Sequence, residues 1–211
     1  MVYIGNDIIS LKDKKNLQDF FNPRYLKKIL TEEEFVFVKK NKKYHFLSFL
    51  FWTCKESAYK ILVKKGLRKS FSPKKFNVNI NINNKCKNNV IIYGHVIYEN
   101  CKIYTSSLTN NSYIHTIAAN YKNSVSKIFC GIKKIKSSDI NKQSFYTRNY
   151  LIEYLARKFK IDNSNIKILK DDFTGIPFIS INELKSDIEI SLSHDKEFVS
   201  YAILYKKIIF F

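Results

Sequence analysis

Between residues 76 and 119 FNVNINI alternates apolar and polar residues, and the short runs VIIYGHVIY, KIYTSSL and YIHTIAA follow it, with Asn-rich turns between them. Period-two alternation bounded by turn residues marks half-buried β-strands. Immediately upstream, residues 44–65 read as one long helix rich in core residues, ending near Gly66. A long helix followed by a block of strands is the signature of an α+β protein, and the remainder of the chain fits around it.

A strand is expected at residues 2–9, interrupted by Gly5 and Asn6 just before Asp7. Asn22-Pro23 is an N-cap followed by proline at the first helical position, opening a helix that runs to Leu30. Thr31 caps another helix, with Glu32, Glu33 and Glu34 in its first turn, where carboxylates suit the helix dipole. The lysine-rich stretch 133–142 reads as a linker. Beyond it come a helix at 144–159, a strand at 166–170, a turn at DDFTGIP, and strands around IEISLS and FVSYAIL. A faint repeat links SLTNNSYIHTIA, from Ser107, to SLSHDKEFVSYAI, from Ser191, with Asn110 standing where His194 stands.

The chain has 211 residues, 45% of them hydrophobic, which is enough for a real core. No apolar run approaches the length needed to span a bilayer, Phe49–Trp52 being typical. The N-terminus lacks the basic and apolar segments of a secretory signal, so a cytoplasmic location is expected. Cys54, Cys86, Cys101 and Cys130 form no CxxC pair and read as free thiols. With 37 Lys and Arg against 18 Asp and Glu, the net charge is +19. Such a charge favours polyanionic partners: nucleic acid, acidic proteins, phosphorylated cofactors or anionic lipid. A basic nucleic-acid-binding module, with the aromatic β region as a stacking face, is one open reading.

Three stretches carry chemistry. In IGNDII, Asp7 stands near the sheet among Ile4, Ile8 and Ile9, where it either closes a turn or holds a ligand. In FWTCKESAYKIL, Glu56 and Lys60 are four apart on one helix face, and Lys55 points about 100° away. A partly enclosed acid there needs Lys60 or a cation as partner. In ISLSHDKEF, Ser193 and His194 end a strand and enter a turn. Together these residue types fit Mg²⁺-dependent chemistry on a pyrophosphate, with Asp7 and Glu56 as oxygen ligands and lysines and a histidine neutralising phosphate. The chain has neither a GxSxG elbow nor a Walker-type glycine loop.

In this order, IGNDII, LKKILTEEE, WTCKESAYK and ISLSHDKEFVSYAI resemble the 4'-phosphopantetheinyl transferases, the W-x-x-K-E-S-x-x-K form being the most specific piece. The resemblance implies transfer of the phosphopantetheine arm of coenzyme A to a serine of an apo acyl or peptidyl carrier protein. Mg²⁺ would serve as cofactor and adenosine 3',5'-bisphosphate would leave. It implies Asp7 and Glu56 as metal ligands, Glu56 and Lys60 as catalytic, and Ser193 and His194 as coenzyme A ligands. Lys55 also matches the motif, and Lys64 and Arg148 are further candidates for binding coenzyme A. Lys65, Arg68 and Lys69, in the basic loop after the helix, are candidates for the 3'-phosphate or for docking the carrier.

Two departures from the larger, surfactin-type members matter. Ile9 replaces a second acid, as in the short holo-acyl-carrier-protein synthases. The half carrying S-H comes last instead of first. The implied fold has two related halves, 1–122 and 123–211, each with antiparallel strands on helices and with one active site at their junction. A monomer that makes no use of nucleic acid and takes part in carrier-dependent synthesis, such as fatty acid biosynthesis, follows. A family member that binds coenzyme A or carrier without turnover is the remaining alternative.

Overall fold

The computed structural model describes residues 1–41, 46–67, 70–81, 90–137 and 139–206. Its elements run β1 (Ile4–Ser10), α1 (Lys14–Phe21), α2 (Pro23–Ile29), α3 (Glu32–Lys40) and α4 (Leu47–Lys64), then β2 (Asn77–Ile80), β3 (Val90–Tyr98), β4 (Cys101–Thr109) and β5 (Tyr113–Ala119). There follow α5 (Lys122–Val125), β6 (Phe129–Lys134), α6 (Ile140–Phe159), β7 (Ile166–Lys170), β8 (Pro177–Ile181), β9 (Leu184–Lys185), β10 (Ile188–Asp195) and β11 (Phe198–Tyr205). The protein is α+β, with antiparallel sheets ordered β1-β5-β4-β3-β2, β10-β11-β6 and β7-β8-β9. No helix among the described residues is long and apolar enough to cross a membrane.

Several local signals act as the residues dictate. Asn22 caps α2 by accepting from Arg24 N–H at 2.9 Å, with Pro23 next to it. Thr31 and Glu34 close a reciprocal capping box on α3. Gly66 ends α4 in the left-handed region, φ 72°. The two similar stretches are the hairpins β4–β5 and β10–β11, and Asn110 closes the first by accepting from Ser112 and Tyr113 N–H.

Three expectations need correction. β1 is continuous through Gly5 and Asn6. Gly5 is there for close approach: a Cβ would lie 2.0 Å from the Ser57 carbonyl oxygen of α4. Lys133 and Lys134 belong to β6, an edge strand paired with β11, so the expected linker shrinks to the few residues before α6. Helices α1 and α5 and strands β8 and β9 are additions to the expected elements; β8 pairs with β7 across the turn at DDFTGIP. Tyr44 and Ile82, at the ends of the expected helix and strand, lie outside the described residues.

Two main cores flank a seam. Helix α4 packs Phe49, Leu50, Cys54, Ala58, Ile61 and Leu62 on the five-stranded sheet. Helix α6 packs Leu151 and Leu155 on β10 and β11 through Ile190, Tyr201 and Ile203. Between them β1 runs beside β10 without backbone pairing. The N–H groups of Asn6, Ile8 and Ser10 donate instead to Ser191 Oγ (3.0 Å), Ser193 Oγ (3.2 Å) and Asp195 Oδ2 (2.8 Å). The carbonyls are bridged from α4. Lys60 Nζ reaches Asn6 O (2.7 Å) and Leu192 O (3.3 Å), and Lys64 Nζ reaches Ile4 O (2.8 Å) and Ile190 O (2.5 Å). Buried backbone groups that lack a ladder are thereby satisfied one by one.

Asn6 also anchors the seam from its side chain, with Nδ2 3.0 Å from Ser200 Oγ and 3.3 Å from His115 Nε2. Burial, aided by the Lys60 charge, pushes His115 down to about 3 from 6.5. The unfolded chain therefore takes up a proton below about pH 6.5 that the folded one refuses until about pH 3. This stabilisation is complete above that window and is lost as pH falls through it. His115→Gln is expected to flatten the acid-side decline in melting temperature relative to the parent, read by scanning calorimetry between these pH values. Gly5→Ala is expected to cost about 1–3 kcal/mol by overpacking β1 against α4, read as a lower urea midpoint.

Candidate active site

One cleft of about 510 Å³ opens where α4 meets the β1–β10 seam. Asp7 from β1, Glu56 and Lys60 from α4, and Ser193 and His194 from β10 all line it. Asn16, Asp19 and Phe20 of α1, Tyr25 of α2 and Trp52 of α4 line it as well. Thus three stretches far apart in the chain converge because β1 is held between α4 and β10.

The two acids are poorly compensated. Asp7 Oδ1 accepts from Ser193 Oγ–H at 2.7 Å and faces Lys60 Nζ at 3.3 Å. Burial still raises its pKa, against the pull of Lys60 and Ser193. Glu56 is pushed up to about 7, first by burial and then by the charge of Asp7, with Lys60 opposing. Two carboxylates that repel each other in a semi-enclosed cleft form an oxygen donor set that a small divalent cation would relieve. Mg²⁺ suits such a set, since it takes one or two carboxylates and completes its shell with water and phosphate oxygens. Among the described residues no cluster of three metal-binding side chains occurs, so this pair would be the protein's share of the ligands.

His194 lines the cleft, and Gln143 Oε1 accepts from its Nδ1–H at 2.8 Å. Burial and Lys60 hold the imidazole below its usual pKa, while Asp195 pulls it up. Asp195 is itself tied at Oδ2 by Ser10 N–H and by Asn16 Nδ2–H at 2.7 Å.

A family model of the 4'-phosphopantetheinyl transferase superfamily matches residues 3–118. The chain belongs to this superfamily. No curated protein matches it. The matched segment carries Asp7, Glu56 and Lys60, whereas Gln143, Ser193 and His194 lie beyond it.

Not every residue singled out from the sequence reaches the cleft. Lys55 is fully buried on another face of α4. Its Nζ donates to Glu34 Oε2 (2.6 Å), Ile29 O (2.9 Å) and Pro73 O (3.0 Å), which occupies all three protons. Burial lowers its pKa and Glu34 opposes that shift. Glu34 also accepts from Thr31 and Val78 N–H, so the pair ties α2, α3, α4 and β2 together. Lys64 is committed to the seam and to Glu189 Oε1 at 2.8 Å, although it also lines a second cavity of about 260 Å³ with Gly175 and Pro177. Arg148, half-buried on α6, lines neither cavity. Lys65 is exposed near Cys101, and Arg68 and Lys69 lie outside the described residues.

Sequence reasoning passed over Gln143, Asp195, Asn16 and the aromatic wall. Asp195 stood in view beside His194, but Gln143 carries no local signal because its role depends on where α6 packs. Breaking one partner of a buried ion pair costs about 3–5 kcal/mol. Lys55→Met is expected to lower stability by that order in denaturant titration, yet to leave coenzyme A binding by the folded fraction unchanged. Loss of binding without loss of stability would return Lys55 to the ligand site.

Proposed function

We propose that the protein transfers the 4'-phosphopantetheine arm of coenzyme A to a serine hydroxyl of an apo acyl or peptidyl carrier protein, releasing adenosine 3',5'-bisphosphate. The observation that carries this reading is the meeting of Asp7 and Glu56 across one cleft, where the charge of one raises the pKa of the other. These two carboxylates would hold Mg²⁺, which when bound supplies charge neutralisation at the pyrophosphate.

The chain's own residues supply the rest. Ser193 fixes the Asp7 carboxylate from one side and Lys60 from the other. Lys60 is also the ammonium nearest the reacting phosphate, where fixed positive charge stabilises the transition state. His194 and Ser193 border the coenzyme A phosphates. Glu56 would take the serine hydroxyl proton, directly or through a water. The serine oxygen attacks the β-phosphorus in line as the bond to the nucleotide phosphate breaks.

The net charge of +19 would steer both coenzyme A and acidic carriers toward the cleft, with a rate that falls as salt is added. On this reading one chain is the active unit, a cytoplasmic monomer whose halves 1–122 and 123–211 share a single site.

Mixing the protein with coenzyme A, Mg²⁺ and several apo carriers, then weighing the products, tests the proposal. The expected outcome is a carrier heavier by one phosphopantetheine arm, abolished by a chelator. Asp7→Asn and Glu56→Gln are each expected to slow the reaction by about 10²–10³-fold or more while keeping the fold, as losing a preorganised electrostatic group does. Coenzyme A binding with no carrier modified would leave only the non-catalytic alternative.

A further inference from the structure

The cleft's histidine is held from behind by a side chain that never enters the cleft. Gln143 is 3% exposed and sits in the first turn of α6, a helix that contributes no residue to the lining. Its backbone is fixed at two points: Gln143 N–H donates to Asp139 O (2.9 Å), and Thr147 Oγ1–H donates to Gln143 O (2.7 Å). Asp139 caps the same turn by accepting from Lys142 N–H (2.8 Å). The side chain is buried, and a buried carboxamide oxygen demands a donor.

That donor is Nδ1–H of His194, 2.8 Å away. An acceptor at this position keeps a proton on Nδ1 and leaves Nε2 as the ring nitrogen for a ligand of the cleft that His194 lines. A carboxamide oxygen is compatible with both the neutral ring and the imidazolium. A donor in its place would forbid the charged form, the form in which Nε2–H donates to an anionic oxygen. The charged groups acting on the ring are Lys60 from α4, which opposes its protonation, and Asp195 from its own strand, which favours it.

We propose that Gln143 is a positioning residue for phosphopantetheinyl transfer, fixing His194 so that Nε2 faces a phosphate of coenzyme A. This rests on the assignment of His194 to coenzyme A given above.

The test is a double-mutant cycle on the full chain, with coenzyme A affinity measured calorimetrically in Mg²⁺. Gln143→Leu is expected to weaken coenzyme A by about 3–10-fold, the range of one hydrogen bond, and to raise KM for coenzyme A with little change in that for the carrier. His194→Ala should weaken it at least as much, and adding Gln143→Leu to His194→Ala should cost nothing further. Gln143→Glu keeps the acceptor and adds a charge that holds the second ring proton, so binding should recover and persist to higher pH. Ring nitrogen shifts of His194 without ligand should report the Nδ1–H tautomer in the parent and its loss in Gln143→Leu.

Additive losses, an unchanged affinity in Gln143→Leu, or an unaltered tautomer would each overturn the positioning role while leaving parental coenzyme A binding intact. A parent protein that fails to bind coenzyme A overturns the functional reading itself, and this inference with it. Thermal melts of each variant separate these results from simple unfolding.

Discussion

The arrangement depends on how β1 satisfies its second edge. One edge pairs with β5 in an ordinary ladder, and the other meets β10 only through side chains. Hydroxyl and carboxylate oxygens from β10 take the β1 amide protons, and two lysines one helical turn apart on α4 span the carbonyls of both strands. Unpaired backbone in a protein interior is costly, so this seam sets how closely the two cores can approach. The proposed chemistry sits on it. Asp7 lies between two of the donating residues, Lys60 is one of the bridges, and Ser193 both accepts from Ile8 N–H and donates to Asp7.

Lys60 therefore belongs to two networks at once. Its ammonium is shared between carbonyls of β1 and β10 and the Asp7 carboxylate, and it is still partly open to the cleft. On the proposed function, a phosphate oxygen arriving there would compete with contacts that join the two cores, which would couple occupancy of the site to the tightness of the seam through one side chain. Lys64 bridges the strands in the same way from the next turn of the helix, but with its charge spent on Glu189 it has no such freedom.

Much of the site was legible in the order of short motifs. Their spacing along α4 placed Glu56 and Lys60 together, and the cleft collects them with Asp7 and His194. The helix caps were equally readable, because Asn22-Pro23 and Thr31 with Glu34 act within a few residues. Lys55 was not. Its neighbour relation to Glu56 says that it points elsewhere, but only tertiary packing shows that Glu34 waits for it. In the sequence Glu34 looked like one of three first-turn acids serving a helix dipole. Gly5 misled for a related reason, since a glycine that breaks a strand and one that admits a neighbouring helix look alike until that helix is placed. The lysines of β6 hid an edge strand behind what resembled a solvated connection.

The seam also carries an indexing problem and its solution. Ser191 and Ser193 offer identical hydroxyls two residues apart, so sliding β10 by one full pleat would still give most of β1 a partner. What removes the ambiguity stands at the two ends of the run. Asp195 fits only where Ser10 and Asn16 converge, and Glu189 fits only beneath Lys64. The unique terminal charges act like the end marks of a vernier scale, selecting a single alignment and delivering His194 opposite the acids rather than a pleat away.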